Sequence, residues 1–472
     1  MSAVQNPPVS VKINAWTGEA ADSTGTLAAV TKPWATVPAP KSLMVLAAEI
    51  PDMRDWTHDK VGWGLVVEHR QNVSVADNCA LAGMPEAIKE LRKFRQGVVL
   101  GWSPECGTKN LIRYLEDGTT RNVKIGSDVK RGKTPDALPH YLLILGGPAK
   151  IPWKVQYTLN LCAAVGRLDL DGAGLENYVA AVVSNWTGTG APLDVANCLL
   201  WSVNRGGTDI TALMQTTVAS PVLEALQGDS DIGAKAQFRF GEDATHAELK
   251  KMLSTNRPGL VVTTSHGRTG PLGDQTAMRR DLGLPVDKDN MICAPSDLLD
   301  AWEPNGAVWY AHACCSAGCD TGSVFADLFK PTALSKTLER IGELGAQSAP
   351  LPVALLGARK PLRAFIGHVE PTFDWTLTSV DMAQSLTESI KYALYDNLFE
   401  KNPMTVGGAF DSYYRQVGSL FNEQDMALAD LQRFVPGAEQ AALRARLGAL
   451  DRRSLVIHGD PAVALPALGA QQ

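Results

Sequence analysis

The stretch "AVWYAHACCSAG", residues 307–318, starts as core and ends as chemistry. Ala307-Val308-Trp309-Tyr310-Ala311 reads as a short strand buried on both faces, because branched and aromatic side chains suit a sheet covered on each side. The character then changes at once to His312, Ala313, two adjacent thiols (Cys314 and Cys315), Ser316 and Gly318. A second apolar run, Leu260-Val261-Val262-Thr263-Thr264, ends in the same manner, on Ser265-His266-Gly267. Two strands that each deliver reactive side chains where they run out suggest one sheet edge. In an open parallel sheet the carboxyl ends of the strands share an edge, and sites form there.

Outward from these strands the pattern is regular. Leu142–Leu145 is a buried strand closed by Gly146-Gly147-Pro148, and Cys198–Val203 is another, followed by a helix over about 209–227. Ala236–Phe240 reads as a strand, after which Thr245 and Glu248 have the spacing of a capping box that starts a helix. Towards the C-terminus, helical stretches over roughly 381–399 and 425–450 precede a strand at 454–457. Alternating buried strands and helices predict an α/β fold, a mainly parallel sheet flanked by helices.

Before residue 141 the signal is weaker. Residues 1–40 are rich in Pro, Ser, Thr and Ala without period and predict an extended arm. Leu43–Ala48 reads as a strand, 84–97 as a helix with Pro85 early and Gly97 at its end, and 98–100 as another strand. The polar, Gly/Lys-rich stretch 103–138 reads as a boundary or a long connection. The expected organisation is a smaller N-terminal accessory region of unknown function, 1–140, and a main domain, 141–472.

Composition narrows the setting. The chain has 472 residues, 45% hydrophobic and 20% charged, with a net charge of -6 and no run of like charge, which argues against a nucleic-acid surface. No stretch approaches the roughly 18 apolar residues that span a bilayer, and the N-terminus lacks the basic and apolar regions of a secretory signal. Eight cysteines, mostly isolated, fit reduced thiols in a cytoplasmic protein better than a disulfide framework. Cys79, Cys106, Cys162, Cys198 and Cys293 read as core filler. His312, Cys314, Cys315 and Cys319 could be imagined around zinc. Adjacent cysteines rarely face one tetrahedral centre, however, and no paired C-x-x-C is present, so neither metal nor cofactor is expected.

A thiol needs a basic neighbour to become the thiolate that attacks a carbonyl, and imidazole is the natural partner near neutrality. If the two strands are neighbours, His266 and Cys314 rise side by side. Gly267 lets the backbone approach closely, and its N–H with that of Cys314 could hold an oxyanion.

A strand ending in His-Gly and a later strand ending in Ala-Cys resemble the caspase-like cysteine peptidases: caspases, gingipains and the bacterial CHAT proteases. Three further stretches resemble the bacterial gingipain-like branch: "YLLILGGPAKIPWKVQYTLNLCAAVGRLDLD" (141–171), "AFIGHVEPTFDW" (364–375) and "SLVIHGDPAVALP" (454–466). The resemblance implies a caspase-like sheet and peptide-bond hydrolysis by a His-Cys dyad. It makes His266 the general base, Gly267 an oxyanion donor and Cys314 the nucleophile, with no third catalytic residue nominated. Cys315, beside the nucleophile, is a departure. Cys314 follows Ala313 as in the family, whereas counting back from Gly318 would favour Cys315. His312 is a second departure, standing where some relatives carry Asp. His312, Cys315, Asp169 and Asp171 are pocket candidates. The implied partners are a protein substrate and an activating or regulatory protein, in a cytoplasmic setting of stress or antiviral defence. The long connection after Gly267 is expected to wall the cleft or to host activation. A silent scaffold on the same fold, recruiting a partner through residues 1–140, is the alternative, and thiol reactivity separates the two.

Overall fold

The computed structural model describes residues 10–11, 14–17, 25–26, 51–126, 128–187, 193–378, 385–399 and 402–469. Twelve strands form one sheet: β1 (Trp63–Glu68), β2 (Val98–Trp102), β3 (Asn110–Tyr114), β4 (Thr120–Lys124), β5 (Tyr141–Leu145), β6 (Ala164–Leu168), β7 (Asp194–Ser202), β8 (Gln237–Phe240), β9 (Pro258–Thr264), β10 (Val308–His312), β11 (Ala364–His368) and β12 (Leu455–His458). Their order is β8-β7-β9-β10-β11-β12-β6-β5-β1-β2-β3-β4. The sequence explains who sits where. β9, β10 and β11 are buried at every position and occupy the interior. The edge strand β4 (TRNVK) exposes all but Val123, and its charged side chains discourage pairing with another chain.

Pairing is mostly parallel, as the unbroken apolar strands require. The direction nevertheless reverses once in the middle: β11 and β12 are antiparallel, while β12 and β6 are parallel. The strands on either side therefore point their carboxyl ends at opposite edges. β7, β9, β10 and β11 end at one edge, and β1, β5 and β6 end at the other.

Residues 63–124, expected in a separate accessory region, contribute four strands to this same sheet, with β1 paired directly to β5. The long-range contacts agree. Arg95, from the helix Glu86–Arg95, places Nε 2.7 Å from Asp460 Oδ2, and Trp63 Nε1 donates to Asp460 Oδ1 at 3.0 Å. Asp460 N in turn donates to the Tyr178 hydroxyl (2.7 Å), which donates to the Arg363 carbonyl (2.8 Å). The Asp460 carboxylate thus ties Trp63 and Arg95 to the segment after β12, and its backbone N–H ties that segment to Tyr178.

Helices differ from expectation where proline or glycine intervenes. The helix after β7 runs from Ile210 to Gly228 but widens into a π turn over Gln215–Ala219. Pro221 lacks an N–H for the Thr217 carbonyl four residues back, and the Thr387 hydroxyl bonds that carbonyl instead. The stretch expected as one helix over 425–450 is two, Asp411–Gln432 and Ala438–Arg452, broken where Gly437 adopts φ +83°. Of the helix expected over 381–399, residues 381–384 lie outside the described residues and the helix is present from Glu388, and the strand expected at 43–48 also lies outside the described residues. The Thr245 cap is present, accepting from Glu248 N at 3.2 Å. Among the described residues no helix is long and apolar enough to cross a membrane.

Asp460→Ala should leave Arg95 as an uncompensated buried charge and cost about 3–5 kcal/mol. Chemical denaturation should show one transition shifted as a whole. Two separable transitions, one for residues before 140, would contradict a single cooperative sheet.

Candidate active site

β9 and β10 are neighbours in register, with Thr264 opposite His312. Two residues further on, His266 and Cys314 leave the sheet together. Their backbones touch at Gly267: a Cβ there would lie 1.9 Å from the Cys314 carbonyl oxygen and 3.0 Å from its nitrogen. Only glycine permits this approach.

Both side chains are fully buried. The His266 Nε2 lies 3.0 and 3.1 Å from the two oxygens of Asp209, while Nδ1 has no partner among the described residues. Asp209 caps the helix that follows β7, accepting from Thr211 N at 2.8 Å and from the Thr211 hydroxyl at 2.7 Å. Burial alone would raise its carboxyl. The His266 hydrogen bond and charge, with the Thr211 donors, instead hold it down at about 2. The carboxylate is thus ionised and anchors the imidazole of His266 through Nε2.

The Cys314 sulfur accepts from Thr372 N at 3.1 Å, in the loop that follows β11. Burial pushes this thiol well above its ordinary value, and the Thr372 donor offsets only part of that. Phe373, the next residue, donates its N–H to Asp451 Oδ2 at 3.2 Å, and the Thr376 hydroxyl donates to the same oxygen at 2.9 Å. A buried acid therefore holds the loop that holds the thiol.

The pocket candidates fare differently. Cys315 has a left-handed backbone (φ +55°), donates its N–H to the Glu370 carbonyl at 3.3 Å, and has a thiol that burial raises well above the usual range. His312 is buried with Nδ1 2.9 Å from the Tyr310 hydroxyl and its ring edge-on to His368 at 4.8 Å. Burial, helped by Arg452, lowers its pKa to about 4, so it is neutral near pH 7 and supplies no positive charge to a thiolate. Its backbone carbonyl, not its ring, reaches the cleft. Asp169 and Asp171 follow β6, whose carboxyl end lies at the opposite edge, so they do not line this site. Asp169 packs instead on Gly147.

Asp209 is the member that sequence reasoning missed. The available signal was positional: β7 neighbours β9, and Asp209 is the first acid after β7 ends. Among the described residues no three His, Cys, Asp or Glu side chains cluster as a metal centre would need. A cleft of about 290 Å³ between Arg257, Trp302 and Lys360 opens at the sheet's other edge, near the start of β9. The space between His266 and Cys314 is instead filled by the chain's own residues Asn14–Trp16. Ala15 pairs with Gly267 and Trp16 with Arg268.

No protein-family model matches the sequence, and no curated protein matches it. Solved structures similar to the chain include one described as a protease, at 12% identity and a TM-score of 0.44, covering 86% of this chain and 79% of that one. The Arg-specific cysteine proteinase gingipain R is similar at 11% identity and 0.38, covering 87% and 79%. Separase of Saccharomyces cerevisiae, in its complex with securin, is similar at 12% and 0.33, covering 73% of this chain and 16% of that one.

Burial raises the Asp451 carboxyl to about 8. The folded state keeps this proton at pH values where the unfolded chain, ionising near about 4, has lost it. Stability from this group is therefore present at low pH and lost as pH rises towards 8. Asp451→Asn, which cannot ionise, should differ least from the wild type below about pH 4 and gain on it progressively up to pH 8 in urea midpoints. A variant less stable than the wild type at pH 8 would show the carboxylate to be the favoured form.

Proposed function

We propose that the chain is a cysteine endopeptidase in which Cys314 is the nucleophile, His266 the general base and acid, and Asp209 the group that orients His266. The observation that supports this most directly is the pairing of His266 Nε2 with an ionised carboxylate while Nδ1 has no partner among the described residues, with the next residue, Gly267, packed on the Cys314 backbone. A buried imidazole with one nitrogen anchored and the other bare is arranged to accept a proton.

Hydrolysis then follows from the residues present. His266 Nδ1 takes the Cys314 proton, and the thiolate adds to the scissile carbonyl. The developing oxyanion is received by the N–H groups of Gly267 and Cys314, close together because glycine permits it. The Asp209 carboxylate steadies the imidazolium without accepting its proton. Collapse breaks the C–N bond as His266 protonates the departing amine. Water, deprotonated by His266, releases the acyl group and restores the thiol. Neither step uses a Lewis acid.

The substrate on this reading is a protein, met in the cytoplasm. An activating or regulatory protein and a role in stress or antiviral defence come with the family resemblance alone. A silent scaffold would have no use for an ion-paired histidine with a bare second nitrogen.

Turnover of a fluorogenic peptide panel tests the assignment. Cys314→Ala and His266→Ala should each lower kcat/KM by about 10⁴-fold or more, and Asp209→Asn by about 10²–10⁴-fold. Cys315→Ala should retain most activity, and chelators should have no effect. Activity lost in Cys315→Ala but kept in Cys314→Ala would move the nucleophile by one residue.

A further inference from the structure

Residues Asn14–Trp16 do more than cover the cleft; they are bound as a substrate would be. The Asn14 carbonyl accepts the Gly267 N–H at 3.3 Å, which is the N–H assigned to the oxyanion. The Asn14 N–H donates to the Thr372 carbonyl at 3.0 Å, and a backbone hydrogen bond from Asn14 also reaches the Cys314 sulfur. Thr372 thus grips the thiol with its N–H and the arm with its C=O. Beyond Asn14 the arm continues in register. Ala15 and Trp16 pair with Gly267 and Arg268, and the Trp16 carbonyl accepts from Thr269 N at 2.9 Å. The Trp16 ring lies between His266 (centroids 5.7 Å apart) and the Arg205 guanidinium (4.4 Å). The peptide bond whose carbonyl takes the Gly267 N–H is Asn14–Ala15.

The Asn14 side chain is wholly buried. Its Nδ2 donates to Met214 Sδ at 3.2 Å and to the His312 carbonyl at 3.4 Å. Both contacts are acceptors, and neither carries charge. They suit a carboxamide N–H. A carboxylate would meet the His312 carbonyl with like polarity, and none of the contacts to Asn14 supplies an acid for Arg or Lys.

On the peptidase reading above, we infer that Asn14–Ala15 is the enzyme's own first substrate, and that the pocket formed by Met214 and the His312 carbonyl selects asparagine before the cut. Cys314 Sγ bonds to the Asn14 carbonyl carbon as its proton passes to His266. The Asn14–Ala15 C–N bond breaks, and Ala15 leaves as an amine carrying that proton. One water then cleaves the thioester, giving an Asn14 carboxylate and the free thiol. Residues 1–14 are released, and the cleft becomes available to other chains.

The test is intact-mass and N-terminal analysis of the full chain during incubation at neutral pH, with a peptide panel varied before the cut. Expected are a new N-terminus at Ala15 in the wild type, an intact chain in Cys314→Ala and in Asn14→Arg, and turnover of Asn peptides about a hundredfold above Asp or Arg peptides. A wild type that cleaves panel peptides of another kind while Asn14–Ala15 stays whole overturns the inference and leaves the peptidase reading standing. If no peptide is cut and Cys314 alkylates no faster in the wild type than in His266→Ala, the peptidase reading fails and takes the inference with it.

Discussion

The site depends on one close approach, the backbone of Gly267 against that of Cys314. Any Cβ at position 267 would lie inside the Cys314 carbonyl oxygen. The contact exists because β9 and β10 run parallel in register and leave the sheet at the same level. It brings the backbones of the two strand ends, which carry His266 and Cys314, into contact. Asp209 from the β7 side and Thr372 from the β11 side then complete the surround. Four consecutive strands of the sheet each supply one part.

Burial raises both carboxyl groups of this region, yet the outcomes are opposite. Asp209 is compensated by His266 and Thr211 and stays ionised, whereas Asp451, given only two donors on one oxygen, is pushed towards its neutral form. The first can orient an imidazole and balance its charge; the second can support a loop without adding an anion behind the thiol. His312 and His368 are likewise held neutral by burial.

Much of this was legible in the sequence, because buried parallel strands are written as unbroken apolar runs and reactive residues stand where the runs stop. His266, Gly267 and Cys314 could be placed together on that ground alone. Asp209 was not legible as a partner of His266, since an acid at a helix start already has a sufficient explanation as a cap, and here one carboxylate serves both purposes. Asp169 and Asp171 were misplaced because nothing local reports strand direction. Their strand matches the others in character but runs the opposite way across the β11–β12 reversal. The break expected near residue 140 is a loop between strands that pair in space, which polar composition cannot distinguish from a linker. Asn14 sits in an arm without periodicity, where only the pocket it fills gives it meaning.

The covered thiol has a consequence for storage. A cysteine poised to attack carbonyls is also the one most readily oxidised to sulfenic and then irreversibly to sulfinic acid, since both routes begin from an accessible thiolate. In this chain Cys314 is walled off, held in its protonated form by burial, and lies next to a second thiol that is equally sheltered. On the peptidase reading, Asn14–Trp16 packed at this edge would help keep peroxide and disulfide reagents from the buried sulfur, so the thiol would pass an oxidising episode unmodified.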